Sequence, residues 1–304
     1  MGEPRTGFIC RTVPGHARVL LDGGGHIDAV LPRKVGVPGD ERSPAAVGDR
    51  IDLDETPEGP VVGRVHARSS VLARRASGTR PVRQVICANA RLMVCVMAAA
   101  RPEPKWAMLD RYLIIAHSAG LEPFIVVSKM DLASTETHAA IERYRALGYR
   151  IAPVGVTSGS GLDAVRAALS NEHSVIVGKS GVGKSTLLNA LVGHEAMEVG
   201  DVSDANTKGR HTTTLAMLHT LGSGWVIDTP GVREIAPWGV EPGDVCGYFR
   251  EMLPHLDDCR FAGGCTHTHE VGCGVKAALG RGEIHEERYA SYLRLMEGGL
   301  SEAQ

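Results

Sequence analysis

The chain has 304 residues, with 33 Lys and Arg against 35 Asp and Glu, and its formal charge of −2 excludes the uniformly basic coat of a simple nucleic-acid binder. Hydrophobic residues make up 43% and charged residues 22%, the balance of a globular protein with room for two or three domains rather than of a disordered chain. Aromatics are only 4%, so the core has to be built on Val, Leu, Ile and Ala.

Residues 1–82 carry short alternating runs at 18–21 and 47–53, separated by turn signals at Gly23-Gly24-Gly25, Val37-Pro38-Gly39 and Pro57-Glu58-Gly59-Pro60. That spacing predicts a small β-barrel, with Gly78-Thr79-Arg80-Pro81 as the linker that follows. The near-zero total charge hides a polarity. Residues 1–102 hold 15 basic and 10 acidic side chains, and from Arg64 to Arg91 there are seven arginines and no acid, a stretch suited to an RNA backbone. No apolar run approaches about 18 residues and the N-terminus lacks an apolar signal region, so a cytoplasmic protein without membrane contact is expected.

From Gln84 onward apolar strands alternate with helices, the pattern of a mainly parallel sheet covered on both faces. Strands are predicted at 91–97, 123–127, 150–154, 174–177 and 224–227, and helices at 106–120, 137–147, 162–169 and 184–192. Between the last strand-helix pair, Gly178 to Ser185 reads GlyLysSerGlyValGlyLysSer and fills every fixed position of G-x-x-x-x-G-K-[ST]. Gly178, Gly181, Val182 and Gly183 let the backbone wrap phosphates, and the N–H groups of the helix start, through Thr186, point at them. Lys184 neutralises the β and γ oxygens and Ser185 ligates Mg²⁺ in this reading. Downstream, ValIleAspThrProGly delivers Asp228 to a strand end and Gly231 to a γ-phosphate, 44 residues beyond Lys184. The polar stretch between them ends in LysGlyArgHisThrThrThr at 208–214, a switch segment in which Thr213 is favoured over its neighbours to close on Mg²⁺.

IleValValSerLysMetAsp at 125–131 resembles the guanine-reading motif N-K-x-D. The Asp131 carboxylate accepts from both N1–H and the exocyclic amine of guanine, a donor pair that adenine lacks, while Lys129 packs along the ring. ThrSerGlySerGly at 157–161 resembles the supporting loop, with Ser158 as the contact to O6. Ser128 stands where the motif usually has Asn; a hydroxyl keeps one hydrogen bond but not the amide's donor and acceptor pair, a difference of roughly 0.5–1.5 kcal/mol. The base motif precedes the phosphate loop, the reverse of the ordinary GTPase order, so the domain is circularly permuted. The γ-sensing loop at 228–231 is then expected to run directly into the C-terminal domain.

Cys259-x₅-Cys265-x-His267-x₅-Cys273 supplies three thiolates and an imidazole, a closed tetrahedral set for one structural zinc ion, with His255 and His269 as substitutes for His267. Cys246 reads as a core thiol, and an odd total of seven cysteines argues against a disulfide framework. A helical tail is predicted at 286–297.

Permuted GTPase motifs between a β-barrel and a Cys₃His cluster make the chain similar to the RsgA (YjeQ) family, bacterial GTPases dependent on the small ribosomal subunit. LeuAspArgTyrLeu at 109–113 and CysThrHisThrHisGlu at 265–270 carry the resemblance beyond the phosphate loop, and it covers nearly the whole chain. It departs at Ser128 and in the spacing of Cys259 and Cys265, one residue longer than the family pattern. The resemblance implies an OB-type barrel contacting rRNA over 1–82, a permuted GTPase domain over 83–238 and a mainly α zinc-binding domain over 239–304. It also implies Mg²⁺-dependent hydrolysis of GTP to GDP during late maturation of the 30S subunit, with the subunit and its 16S rRNA as partners; the chain itself is expected to be a monomer. Val232 stands where many GTPases carry a water-positioning Gln, so slow intrinsic turnover is expected, and the family's substitute, a switch-loop His, maps to His211. Three other readings are weighed on the residues alone: a permuted GTPase of another assembly pathway, acting on the large subunit or elsewhere; a nucleotide-regulated RNA-binding module; and, weakest because Asp131 argues for guanine, an ATP-dependent kinase.

Overall fold

A computed structural model describes residues 5–33, 35–39, 44–75, 83–193, 216–229, 237–261 and 263–300. The linker at 78–81, the switch segment with His211 and Thr213, and Gly231 lie outside the described residues.

Five strands, β1 (Arg5–Val13), β2 (His16–Leu21), β3 (His26–Val30), β4 (Arg50–Thr56) and β5 (Gly59–Val65), close into a barrel in the order β1-β2-β3-β5-β4. Only β3 and β5 pair in parallel, which is the OB-type connectivity. Alternation fills the inside: Ile9, Val19, Ile51, Leu53, Val62 and Val65 are buried against one another while their neighbours face outward. A hairpin of β6 (Val71–Arg75) and β7 (Arg83–Ala88) follows and straddles position 82. It is tied back to the barrel, since the Ala88 N–H donates to the Val47 carbonyl (2.9 Å) and the Asn89 amide donates to the Gly48 carbonyl (2.9 Å).

The central sheet has the order β10-β9-β8-β11-β13-β12, formed by β8 (Leu92–Ala98), β9 (Glu122–Ser128), β10 (Arg150–Pro153), β11 (His173–Val177), β12 (Met217–Leu221) and β13 (Gly224–Asp228). All pairings are parallel except that of β12 on β13. Every residue of β8 is buried, as expected of a strand covered on both faces. One face packs Met93, Cys95, Ile125 and Val175 under α1 (Trp106–Ser118) and α2 (Thr135–Ala146); the other packs Val94, Val126, Ile176 and Val226 under α3 (Leu162–Leu169) and α4 (Lys184–Val192).

The barrel docks on the amino-terminal ends of β11 and β13. Phe8 sets its edge on His173 (5.2 Å) and Trp225 (5.9 Å), which stack on each other at 4.4 Å, and the Arg50 guanidinium covers Phe8. At the other side of α1, 3₁₀ turns, α5 (Gly274–Gly280) and α6 (Glu286–Arg294) bury Val245, Phe249, Met252, Ile284 and Tyr292 together with Ile114 of α1. Among the described residues, no helix is long and apolar enough to cross a membrane.

Three elements differ from the sequence reading. Strand β12, hairpin β6–β7 and helix α5 were not anticipated. After Thr229 the described chain resumes at Pro237, which bridges to Arg74 of β6 before the C-terminal turns begin; the expected run of the γ-sensing loop into the C-terminal domain falls outside the described residues. The arginine run is also partly engaged within the fold: Arg68 is buried in an ion pair with Asp49, and Arg91, on the surface, pairs with Glu122 and Glu172.

Candidate functional site

Successive connections leave β8 toward β10 on one side and β11 toward β12 on the other. The crevice at the carboxyl ends of β8 and β11 is therefore the topological switch point, where open α/β sheets bind ligands. The phosphate-loop sequence occupies it, spanning from β11 to the start of α4. Gly178 brings backbone so close to β8 that a Cβ there would stand 2.6 Å from the Val96 carbonyl oxygen, and Gly183 sits at φ +92° at the helix entry. A side chain at either position would deform the loop. Lys184 folds over the loop and donates from Nζ to the carbonyls of Gly178 (2.7 Å) and Lys179 (3.1 Å). Ser185 and Thr186 stand exposed on the first turn of α4, and Val182 is buried beneath the loop.

The base motif clasps this loop from the neighbouring strand β9. Ser128 is 1% exposed, and its Oγ lies 2.5 Å from the Val182 carbonyl and 3.2 Å from that of Met97; with one proton it donates to one of them at a time. Lys129, at φ +57°, donates from Nζ to the Gly181 carbonyl (2.7 Å) and to that of Arg101. Asp131 follows on an exposed 3₁₀ turn, Met130–Leu132, which leaves its carboxylate to solvent and to any ligand in the crevice. The Met130 N–H donates to the Val154 carbonyl (3.2 Å), joining this turn to the 155–161 loop in which Ser158 caps Gly155 through its hydroxyl (3.0 Å).

Asp228 ends β13 beside the loop and is 7% exposed. Burial pushes its carboxyl up, while Lys184 and the Thr229 N–H pull it down. Thr229 was missed by sequence reasoning. It is buried and donates from Oγ1 to the Ile176 carbonyl (2.9 Å), pinning the end of β13 to the strand that leads into the phosphate loop. Arg101, whose carbonyl helps hold Lys129, was missed as well; backbone roles leave no side-chain signature.

A second site lies in the C-terminal region. The ligand atoms of Cys259, Cys265, His267 and Cys273 all fall within 4.8 Å of one another. His267 Nδ1 is 3.5 Å from Cys259 Sγ and 3.4 Å from Cys273 Sγ, and the two sulfurs are 4.0 Å apart. A tetrahedron with zinc–sulfur bonds of about 2.3 Å has edges of about 3.8 Å, so the donors fit that ion. The N–H groups of Gly274 and Lys276 donate to Cys259 and Cys273, and Tyr289 donates to the His267 carbonyl (2.6 Å), supports that hold ligands in place. Burial pushes the Cys265 thiol up to about 12. His255 instead faces Asp258 and Glu283, His269 bonds Thr268, and Cys246 is half-buried outside the cluster.

LeuAspArgTyrLeu at 109–113 proves to be a domain anchor. Asp110 accepts from Arg288 and Tyr144, Arg288 donates to Glu251 (2.6 Å), and Arg111 donates to the Leu300 carbonyl (2.9 Å).

The chain is 39% identical to the small ribosomal subunit biogenesis GTPase RsgA of Gemmatimonas aurantiaca over 98% of both chains, and 42% identical to that of Dickeya dadantii over 98% of this chain and 85% of the other. Among solved structures it is similar to YjeQ from Thermotoga maritima, with a TM-score of 0.73, 28% identity and 96% and 97% of the two chains covered. YloQ, described as a circularly permuted GTPase, shares the fold at a TM-score of 0.72 and 24% identity over 97% and 94%. The RsgA GTPase family profile matches residues 65–238, more than half the sequence, and with these relatives it establishes that the chain belongs to the RsgA GTPase family.

Proposed function

We propose that the chain hydrolyses GTP during late maturation of the small ribosomal subunit, docking as a cytoplasmic monomer on the 30S particle and its 16S rRNA. Its relatives are named small ribosomal subunit biogenesis GTPases. The observation that carries the nucleotide reading is the clasp of Ser128 and Lys129 on the carbonyls of Val182 and Gly181, which sets a base-reading motif and a phosphate loop edge to edge despite their reversed order in the chain. Exposed Arg11, Arg33 and Arg64 of the barrel supply the cationic surface for rRNA.

Asp131 reads guanine, Lys129 covers the ring and Ser158 supports the O6 side. Phosphates displace the Gly178 and Lys179 carbonyls from Lys184, whose ammonium then faces the β and γ oxygens. Ser185, Asp228 and Thr213 offer hard oxygen donors, the set suited to Mg²⁺, which when bound neutralises charge between the β and γ phosphates. Gly231 senses the γ-phosphate through its N–H, and His211 orients the attacking water once the subunit is bound. Cys259, Cys265, His267 and Cys273 hold one structural zinc ion.

The test is GTP hydrolysis with and without purified 30S subunits, with ATP as control; stimulation confined to GTP and to the small subunit supports the reading, and equal rates with 50S subunits refute it. In the same assay His211→Ala is expected to lower subunit-stimulated turnover about 10²-fold with nucleotide affinity unchanged, as for loss of a general base or water-positioning group. Retention of full stimulated turnover would remove His211 from the mechanism. Metal analysis is expected to find one zinc per chain, absent from Cys273→Ser. That variant should lose at least about 3 kcal/mol in denaturant unfolding, a fraction of the roughly 10–16 kcal/mol with which structural zinc binds.

A further inference from the structure

A cavity of about 350 Å³ opens where α1 and α2 meet α6, away from the nucleotide crevice and the metal cluster. Its charged lining is unequal: Lys105, Arg143, Arg288 and Arg294 against Asp110 and Glu287. The carboxylate of Asp110 is already engaged, because it is buried and accepts from both Arg288 and Tyr144, and burial pushes its carboxyl up. Glu287 is 64% exposed and holds Arg143 from the rim, a contact that solvent weakens. Lys105 and Arg294 pair with nothing among the described residues, although both line the cavity, one from the start of α1 and one from α6. Trp106 and the Tyr144 ring, 5.7 Å apart, add an aromatic wall.

We propose that this junction binds a small phosphorylated anion, held by Lys105 and Arg143 from the nucleotide-binding side and by Arg294 from α6. Two unpaired cations call for a ligand of about two negative charges, which a phosphate supplies and a single carboxylate does not. The volume admits a phosphate with a compact organic group, at the small end of ligand pockets. On entry the phosphate takes Arg143 from Glu287. Because its contacts come from Lys105 at the start of α1, from α2 and from α6 at once, the bound anion braces the C-terminal region against the GTPase core, beside the Asp110–Arg288 anchor.

The experiment uses the full chain saturated with Mg²⁺ and a non-hydrolysable GTP analogue, so that the phosphate loop is filled. Inorganic phosphate and ribose 5-phosphate are titrated by calorimetry and thermal unfolding, with chloride at matched ionic strength as control. The wild type is expected to bind and to unfold at higher temperature with either phosphate than with chloride. Lys105→Gln combined with Arg294→Gln should weaken binding roughly tenfold or more through the loss of charged hydrogen bonds, with affinity for the GTP analogue unchanged. Glu287→Gln, which removes the competitor for Arg143, should instead tighten it several-fold, a change of opposite sign that general destabilisation does not produce. Tighter binding of ribose 5-phosphate marks a sugar phosphate as the source and equal binding marks the free anion; either supports the site. Absence of binding by the wild type, identical titrations for wild type and double variant, or weaker binding by Glu287→Gln overturns it.

Discussion

Arg288→Ala is expected to cost about 3–5 kcal/mol of stability in denaturant unfolding, the penalty for breaking a buried ion network by removing one partner. One guanidinium serves two carboxylates here: Asp110 at 2% and Glu251 at 5% side-chain exposure, with Arg288 itself at 3%. The Phe249 and Tyr144 rings lie 4.4 and 5.2 Å from its guanidinium carbon, so the methylene stem and the charge are both packed. Truncation leaves two buried anions facing each other across a void. Adding Asp110→Asn and Glu251→Gln to Arg288→Met removes those anions and should recover much of the loss, since neutral partners no longer carry an uncompensated charge. A loss below about 1 kcal/mol for Arg288→Ala, the range of exposed pairs, would show that the network does not hold the C-terminal region on α1.

Asp131→Asn is expected to exchange the base preference. The carboxylate only accepts, which matches the two donors on the guanine edge; an amide accepts once and donates once, and so opposes one guanine donor while matching the carbonyl at C2 of xanthine. Losing two charge-assisted bonds at roughly 1.5–3 kcal/mol each predicts a fall in GTP affinity of at least about 10²-fold. Xanthosine triphosphate should gain over GTP in competition against a fluorescent nucleotide. An unchanged GTP to XTP ratio would mean that this exposed turn does not read the base.

Local pattern carried much of the architecture. Buried strands such as Leu92–Ala98 show as apolar runs, α3 and α4 fall on their predicted bounds, and the phosphate-loop sequence stands between a strand and a helix as its chemistry requires. What stayed hidden depends on partners far along the chain. Strand β12, MetLeuHisThrLeu, lacks β-branched apolar residues and is a strand because β13 returns beside it after a two-residue turn. Hairpin β6–β7 is interrupted by the segment that reads as a linker, and its place is set by Val47 and Pro237, one from each flank of the sequence. The arginine run illustrates the same limit. Arg68 and Arg91 look like a charged face in a list of residues, yet Asp49, Glu122 and Glu172 claim them in space. At the crevice, Asp131 and Lys184 were legible as residue types, whereas Ser128 was legible only as a departure; its hydroxyl turns out to reach the phosphate-loop carbonyl from within the core.

The reversed order also has a meaning in time. The chain emerges from the ribosome with the barrel and the base motif first, and Ser185 lies 54 positions after Asp131. At about 5–20 residues per second that interval is roughly 3–11 s. Through it the nascent protein exposes the donor hydroxyl of Ser128 and the ammonium of Lys129 with no phosphate loop to receive them. Nucleotide therefore cannot template the first half of the fold, and the barrel with strands β8 to β10 has to be held by its own core until β11 slots in between β8 and the strands still to come.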